Sequence, residues 1–388
     1  MKPLLLISNG HGEDIIAAAL GRALQGMGYA AQAVPLVGQG LAYQRAGIPT
    51  LGPCKALPSG GFALQSAAAV WADIQAGWFA MSRAQYRAVR TAARGAQATL
   101  VVGDVYALGV GFVFASRPLF LMQCRSSLRV GGRPYSVTER LLMRQTARVY
   151  PREPEGEAWL KARGVPQACY LGNPMLDALD GGPLEVAPPY LLLLPGSRED
   201  AYQSLPLMLE ACRLLGPTGL VPLVAWAGQP LEKLRVAGWA LESTGQAQGL
   251  THRLRHPDGT LVYLTQGAFK TALLGSRLAL STSGTAAEQA AGYGVPLVGF
   301  PTQGPQYTLG FAETQKRLLG DALTLSKPNP QAIAWAAQRL LSSETLLKRA
   351  QTAGKAAMGE PGAAARIALD IHQHLQAIQP ASERFRSR

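Results

Sequence analysis

Twice in its second half this chain runs a short apolar stretch into a turn of small polar residues and glycine, and then into a helical pattern. The first instance is Leu191-Leu192-Leu193-Leu194-Pro195-Gly196-Ser197-Arg198. The second is Leu278-Ala279-Leu280 followed by Ser281-Thr282-Ser283-Gly284-Thr285-Ala286-Ala287-Glu288. Such a turn marks the place where a buried strand hands over to a helix. Free backbone N–H groups at a helix start attract anions, and glycine lets a phosphate come close to the main chain. Ser197, Ser283 and Thr285 add hydroxyl donors, and Arg198 adds a planar guanidinium fork suited to a diphosphate. The pattern points to an enzyme that grips the pyrophosphate of a nucleotide-activated substrate. The plainer alternatives are an Arg198 pair with Glu199 or Asp200 and an ordinary N-cap at residues 283–285.

The same alternation runs through the whole chain. Strands are expected at Leu4–Ser8, Ala31–Leu36, Thr99–Val102, Leu119–Gln123 and Val149–Pro151, with Tyr170–Leu179 as the last strand of the first half. Helices are expected at Asp14–Gly26, with Ile15, Ala18, Ala19, Arg22 and Ala23 on one face, and at Phe62–Ala93. After a Pro- and Gly-rich linker, 181–189, the pattern restarts. Strands are expected at Tyr190–Leu194, Val221–Trp226, Gly259–Leu264, Leu278–Ser281 and Leu297–Phe300; helices at Ser204–Leu215, from Gly267, and at Thr285–Tyr293. With 388 residues the chain exceeds one ordinary core. The expected fold is α/β, with two Rossmann-like domains (1–180 and 190–360) facing a central cleft. A last helix within 361–380 folds back on the first domain. Open α/β sheets bind ligands at the carboxyl ends of their strands, where the turn Asn9–Asp14 and the pair Gly103-Asp104 also fall.

Composition narrows the partners. With 48% hydrophobic and 16% charged residues the chain is globular. The opening "MKPLLLISNG" reads as a first buried strand of a cytosolic protein. Four scattered cysteines make neither a disulfide framework nor a zinc site. A formal charge of +13 favours an anionic partner: a nucleotide, a nucleic acid or a membrane face. The basic clusters Arg125–Arg133, His252–His256 and the tail are short, and the second reads as a basic loop. No aromatic platform or known nucleic-acid motif accompanies them, which argues against nucleic acid. His372 and His374 are badly spaced for a metal on a helix, and no metal is expected. The apolar segment Phe62–Trp78, with Trp71, Trp78 and Phe79, precedes Arg83, Arg87, Arg90 and Arg94. It is either a core helix or an amphipathic patch that docks on a membrane.

"LLLLPGSRED", "GNPMLD", "SGTAAEQAAGYGVPLVGF" and "GPQYT" resemble lipid-A-disaccharide synthase and related proteins, glycosyltransferases of the two-Rossmann (GT-B) type. The resemblance spans most of the chain and is weakest over 37–90. It implies an inverting, metal-independent transfer of a sugar, GlcNAc-type or hexose, from a UDP-sugar to a lipid or lipid-linked acceptor. No cofactor is implied beyond the donor. By resemblance Ser197, Arg198, Ser283, Gly284 and Thr285 hold the donor phosphates, and Gln306 touches the donor sugar. The family's ribose-binding carboxylate matches position 289, here Gln289, with Glu288 one residue earlier. One residue on a helix is a rotation of about 100°, so only one of the two takes that role. The family's Gly-x-Asp-x-Pro-Asp motif is shortened here to Gly103-Asp104-Val105-Tyr106.

Sugar transfer needs a base for the acceptor hydroxyl and positive groups for the leaving diphosphate. His11 is the better base by residue type and Asp104 by family position; their plainer roles are a turn residue capping the next helix and a strand-end cap. Asp14 is expected to set the helix start, and Glu13 to be solvated. The expected protein is a cytoplasmic enzyme, peripheral on the inner face of the membrane. The alternatives are a UDP-sugar epimerase of the same architecture and a non-enzymatic nucleotide- or RNA-binding module.

Overall fold

The computed structural model describes residues 2–54, 71, 75, 77–127, 134–179, 181–245, 249–304 and 307–378. The chain divides into two compact units. Unit 1 is Met1–Ala178 together with Gly362–Arg388, and unit 2 is Leu179–Pro361.

Unit 1 runs β1 (Leu4–Ser8), α1 (His11–Gly26), β2 (Ala31–Pro35), α2 (Leu41–Arg45), α3 (Trp78–Gly95), β3 (Ala98–Gly103), α4 (Val105–Phe114), β4 (Leu119–Gln123), α5 (Val137–Met143), β5 (Arg148–Tyr150) and α6 (Pro154–Lys161). The sheet is parallel in the order β2-β1-β3-β4-β5. Leu4 to Ile7 and Leu119 to Met122 are all at most 2% exposed, which is why these strands read as unbroken apolar runs rather than alternating ones.

Unit 2 runs β6 (Tyr190–Leu194), α7 (Ala201–Leu215), β7 (Val221–Ala225), β8 (Ala240–Ser243), β9 (Leu250–Arg255), β10 (Leu261–Thr265), α8 (Phe269–Leu274), β11 (Ser276–Ser281), α9 (Thr285–Gly292), β12 (Leu297–Gly299), α10 (Leu309–Leu319), β13 (Leu323–Leu325), α11 (Pro330–Leu341) and α12 (Glu344–Met358). Its sheet order is β13-β12-β11-β6-β7-β10-β9-β8. The strands from β13 to β10 pair in parallel; β9 and β8 add an antiparallel hairpin. The chain then returns to unit 1 as α13 (Ala363–Ile378), which packs on α1.

Three details differ from the reading of the sequence. The segment His252–His256 is not a loop: His252 to Arg255 lie in β9, where Arg253 and Arg255 both reach Glu242 of β8, at 2.6 and 3.1 Å. Its charged alternation hid the strand. Residues 170–179 form no strand; Pro174–Leu176 is one 3₁₀ turn, because Pro174 takes away a donor that a sheet ladder needs. In α1 the inward stripe is Ile16, Leu20 and Leu24, while Ile15 is 44% exposed and Arg22 faces solvent. Alanines on all sides of this helix blur the apolar face, and the large side chains at i, i+4 and i+8 decide it.

Candidate functional site

Both sheets contain a point where the strand order reverses. In unit 2 the chain moves from β6 outward through β7 to β10, then jumps back to place β11 on the other side of β6. Ligands of open α/β sheets bind in the crevice outside the carboxyl ends at such a point. Leu194 and Ser281 are opposite each other there, so the loops that begin at 195 and 282 leave the sheet side by side. They are also stitched together. Thr282 donates its N–H to the Leu194 carbonyl at 3.0 Å and its hydroxyl to the Pro195 carbonyl at 3.1 Å. Ser204 of α7 donates to the same carbonyl at 3.1 Å. Gly196 has φ +99, a conformation that glycine adopts without strain. Ser197 and Arg198 are exposed on this loop, whereas Asp200 behind them is buried and accepts from the Thr302 hydroxyl at 3.2 Å.

The second turn opens α9, with Gly284 as N-cap and no side-chain cap. Ser283 gives its N–H to Ser281 Oγ at 3.1 Å. Among the described residues no acceptor takes the N–H of Gly284 or Thr285. Glu288 and Gln289 follow one turn on, and both are buried, at 3% and 7% exposure. A third loop joins from β7: Gln229 donates Nε2 to the Ser197 carbonyl at 3.0 Å, and the Trp226 indole holds the Gln229 carbonyl at 2.8 Å. Gln229 and Trp226 were not singled out in the sequence, which carries no signal for contacts between loops of different strands. Gln306 lies outside the described residues.

Unit 1 reverses between β1 and β3, where Ser8 stands opposite Val102. Asp104 begins α4 as its N-cap, accepting from Tyr106 N at 2.9 Å and Ala107 N at 3.5 Å. Its Oδ1 also accepts from Asn9 Nδ2 at 2.7 Å. Among the described residues its Oδ2 is not engaged, so the capping role leaves one oxygen able to take a proton. His11 is the first residue of α1 and exposed, with its ring against Gly38. It does not cap that helix: the N-cap is Gly10, without a side-chain bond.

Of the two acids in this turn, Glu13 differs from its expected role. Glu13 is half-buried rather than solvated; burial foremost, and the nearby Asp104, push its carboxyl above the usual range. Asp14 is 2% exposed, and burial pushes it up to about 7 against the opposing Ser8 hydrogen bond. Ser8 Oγ donates to Asp14 Oδ1 at 2.6 Å and meets the buried Tyr43 hydroxyl. Asp14 thus lies in the first turn of α1, where a helix-start acid was expected, but its carboxyl is buried. Two carboxyls, Asp104 and Glu13, thus stand close together at this end of the unit 1 sheet, with burial and the neighbouring Asp104 raising the pKa of Glu13.

The fold is of the GT-B class, two α/β domains with parallel sheets. Solved structures similar over nearly the whole chain include a UDP-GlcNAc 2-epimerase from Neisseria meningitidis bound to UDP-GlcNAc. It is 13% identical, with TM-score 0.58, over 97% of this chain and 100% of that one. A second UDP-N-acetylglucosamine 2-epimerase is 15% identical, with TM-score 0.58, over 98% and 99%. CalG4, the calicheamicin glycosyltransferase, is 17% identical, with TM-score 0.60, over 98% and 100%. No protein-family model matches the chain, and no curated protein matches it. The GT-B class is thus supported, and the narrower resemblance to lipid-A-disaccharide synthase is not shown by these neighbours.

Proposed function

We propose that the protein is an enzyme that binds a UDP-sugar through unit 2 and breaks the bond between the anomeric carbon and the diphosphate. The observation that carries this reading is the convergence of the 195–198 loop and the 282–285 turn at the β6/β11 reversal. Arg198 and the N–H groups of Gly284 and Thr285 present positive charge where a departing UDP gathers negative charge. Similarity to a solved structure bound to UDP-GlcNAc supports the choice of nucleotide sugar.

Epimerisation without an acceptor comes first, supported by the epimerases among the similar structures. Inverting C2 without a redox cofactor requires removal of the C2 proton as UDP leaves, forming a C1–C2 double bond. UDP then returns to C1 and a proton to the opposite face of C2. That chemistry needs both a base and an acid, and the unit 1 rim offers Asp104, Glu13 and His11. Transfer to a lipid or lipid-linked hydroxyl is the second reading. There Asp104 or His11 takes the acceptor proton, the acceptor oxygen bonds to C1 and UDP departs. The exposed arginines of α3 favour it: Arg83, Arg87, Arg90 and Arg94 form one outward stripe beyond Phe79, which is 64% exposed. Among the described residues no helix is long and apolar enough to cross a membrane. On this second reading the arginine stripe would meet an anionic bilayer surface, on the cytoplasmic side.

Proton NMR of the protein with UDP-GlcNAc and no lipid tests the first reading; inverted configuration at C2 is the expected result. Mass spectrometry after adding membrane lipid extract and a set of UDP-sugars tests the second, through a sugar mass increment on one lipid. Absence of any UDP or UDP-sugar binding by isothermal titration would sink both.

A further inference from the structure

We propose that Gln315, remote in sequence from both phosphate signatures, is the positioning residue that aims the α9 turn at the diphosphate, and that Tyr307 locks it in place. The inference rests on the UDP-sugar reading of unit 2 and names a device behind that site. Gln315 sits in α10 and is 1% exposed. Its Nε2 donates to the Gly284 carbonyl at 2.9 Å and to the Ser283 carbonyl at 3.4 Å, and its Oε1 faces the Tyr307 hydroxyl at 2.6 Å. Two carbonyls can only accept, so the NH₂ end of the amide must face them and the oxygen must take the tyrosine proton. Tyr307 is itself 1% exposed. The amide therefore has one orientation, held from both sides.

The consequence follows from the planar trans peptide, in which C=O and N–H point in opposite directions. The Ser283 carbonyl is held by Gln315, and that of Gly284 by Gln315 together with Glu288 N at 3.2 Å, which turns the N–H groups of Gly284 and Thr285 the opposite way. Among the described residues neither of these N–H groups has an acceptor. Phe311 closes the back of the turn: a methyl group at position 284 would lie 3.1 Å from its ring. Phe311 and Gln315 are four residues apart on α10 and so share one face, and Tyr307, just ahead of that helix, packs its ring on Phe311 with centroids 5.4 Å apart. The neighbouring loop is arranged the same way. The Pro195 carbonyl is held from behind by Ser204 and Thr282, which turns the Gly196 N–H outward. Pre-oriented donors bind an anion without reorganising, so losing the clamp weakens diphosphate binding selectively.

The test measures UDP by isothermal titration and uridine by ligand-observed NMR on the full chain, for wild type, Gln315→Met and Tyr307→Phe. Methionine keeps the volume and removes both hydrogen-bonding ends. The expected result is a roughly tenfold weaker Kd for UDP in Gln315→Met and about threefold in Tyr307→Phe, with uridine changed less than twofold in each. Unchanged UDP binding in the variants overturns the clamp, and so does a parallel loss of UDP and uridine, which is what general loosening of unit 2 produces. Wild-type protein that binds no UDP overturns the clamp and the underlying reading together. If Gln315→Met does not fold, Tyr307→Phe decides by the same ratio.

Discussion

Asp177 accepts from the backbone N–H of Ala364 at 2.7 Å, across 187 residues of sequence. Its other carboxylate oxygen accepts from Gly362 N, and Arg366 donates Nε to the Leu171 carbonyl at 2.8 Å. The last residue of the "GNPMLD" motif thus caps, from outside it, the start of a helix that begins after the whole of unit 2 has been laid down. Both of its carboxylate oxygens face backbone N–H groups. Replacing Asp177 with Ala leaves two first-turn N–H groups without their cap, at a cost of about 1–2 kcal/mol. The expected outcome is a lower thermal midpoint for unit 1 and an unchanged Kd for UDP; a changed Kd would contradict the assignment.

Arg198 is the side chain on which the nucleotide reading leans most. Arg198→Ala is expected to weaken UDP binding by roughly ten- to a hundredfold, the worth of a charge-assisted hydrogen bond. Arg198→Lys restores part of this, since a point charge replaces the bidentate fork. Isothermal titration of both variants decides it, and equal affinity across the three proteins would remove Arg198 from the site.

Asp104 caps α4 whether or not it does chemistry, so the two roles need a variant that separates them. Asparagine caps a helix about as well as aspartate but takes no proton. Asp104→Asn is therefore expected to keep the thermal midpoint and lose roughly a hundred- to ten-thousandfold in turnover. A stable variant with full activity would hand the role of base to His11 or Glu13, and the same assay on His11→Gln and Glu13→Gln would tell which.

Asp14 makes a prediction about pH. Its folded pKa is about 7 against an ordinary 3.8, raised by burial first, with Ser8 opposing and Glu13 adding. Between those two values the folded chain holds a proton that the unfolded chain has released. The contribution of Asp14 to stability is thus full below about pH 4 and is lost as pH rises through 7, by up to about 1.4 kcal/mol per unit. Urea unfolding from pH 5 to 8 is expected to show this fall for the wild type relative to Asp14→Asn, which cannot titrate. Parallel stability curves would show that Asp14 ionises normally.

The arginine stripe of α3 separates the two functional readings. Among the described residues none of Arg83, Arg87, Arg90 and Arg94 forms an ion pair, and α3 carries no acid in its first turn. If the substrate is a lipid, flotation with vesicles containing anionic phospholipid is expected to recover the wild type, and not a variant with all four changed to Glu, at about 0.1 M salt. Failure of the wild type to float would leave the acceptor-free reaction as the surviving reading.

Much of the fold was legible because parallel strands buried on both faces are written as apolar runs, and Leu4–Ser8, Leu119–Gln123 and Tyr190–Leu194 match their expected bounds. The turns after them were legible too, since glycine and small hydroxyl residues mark where a buried strand gives way to a helix. Strand order was not written anywhere local. Only the tertiary structure sets Leu194 opposite Ser281 and so brings the two distant signatures side by side. The hairpin at 240–255, the burial of Asp14, the Asp177 cap and the Gln315 clamp were decided at the same level. Each depends on which group lies across a gap in space, and a polar side chain reads the same in sequence whether it meets water, a carbonyl or a helix end.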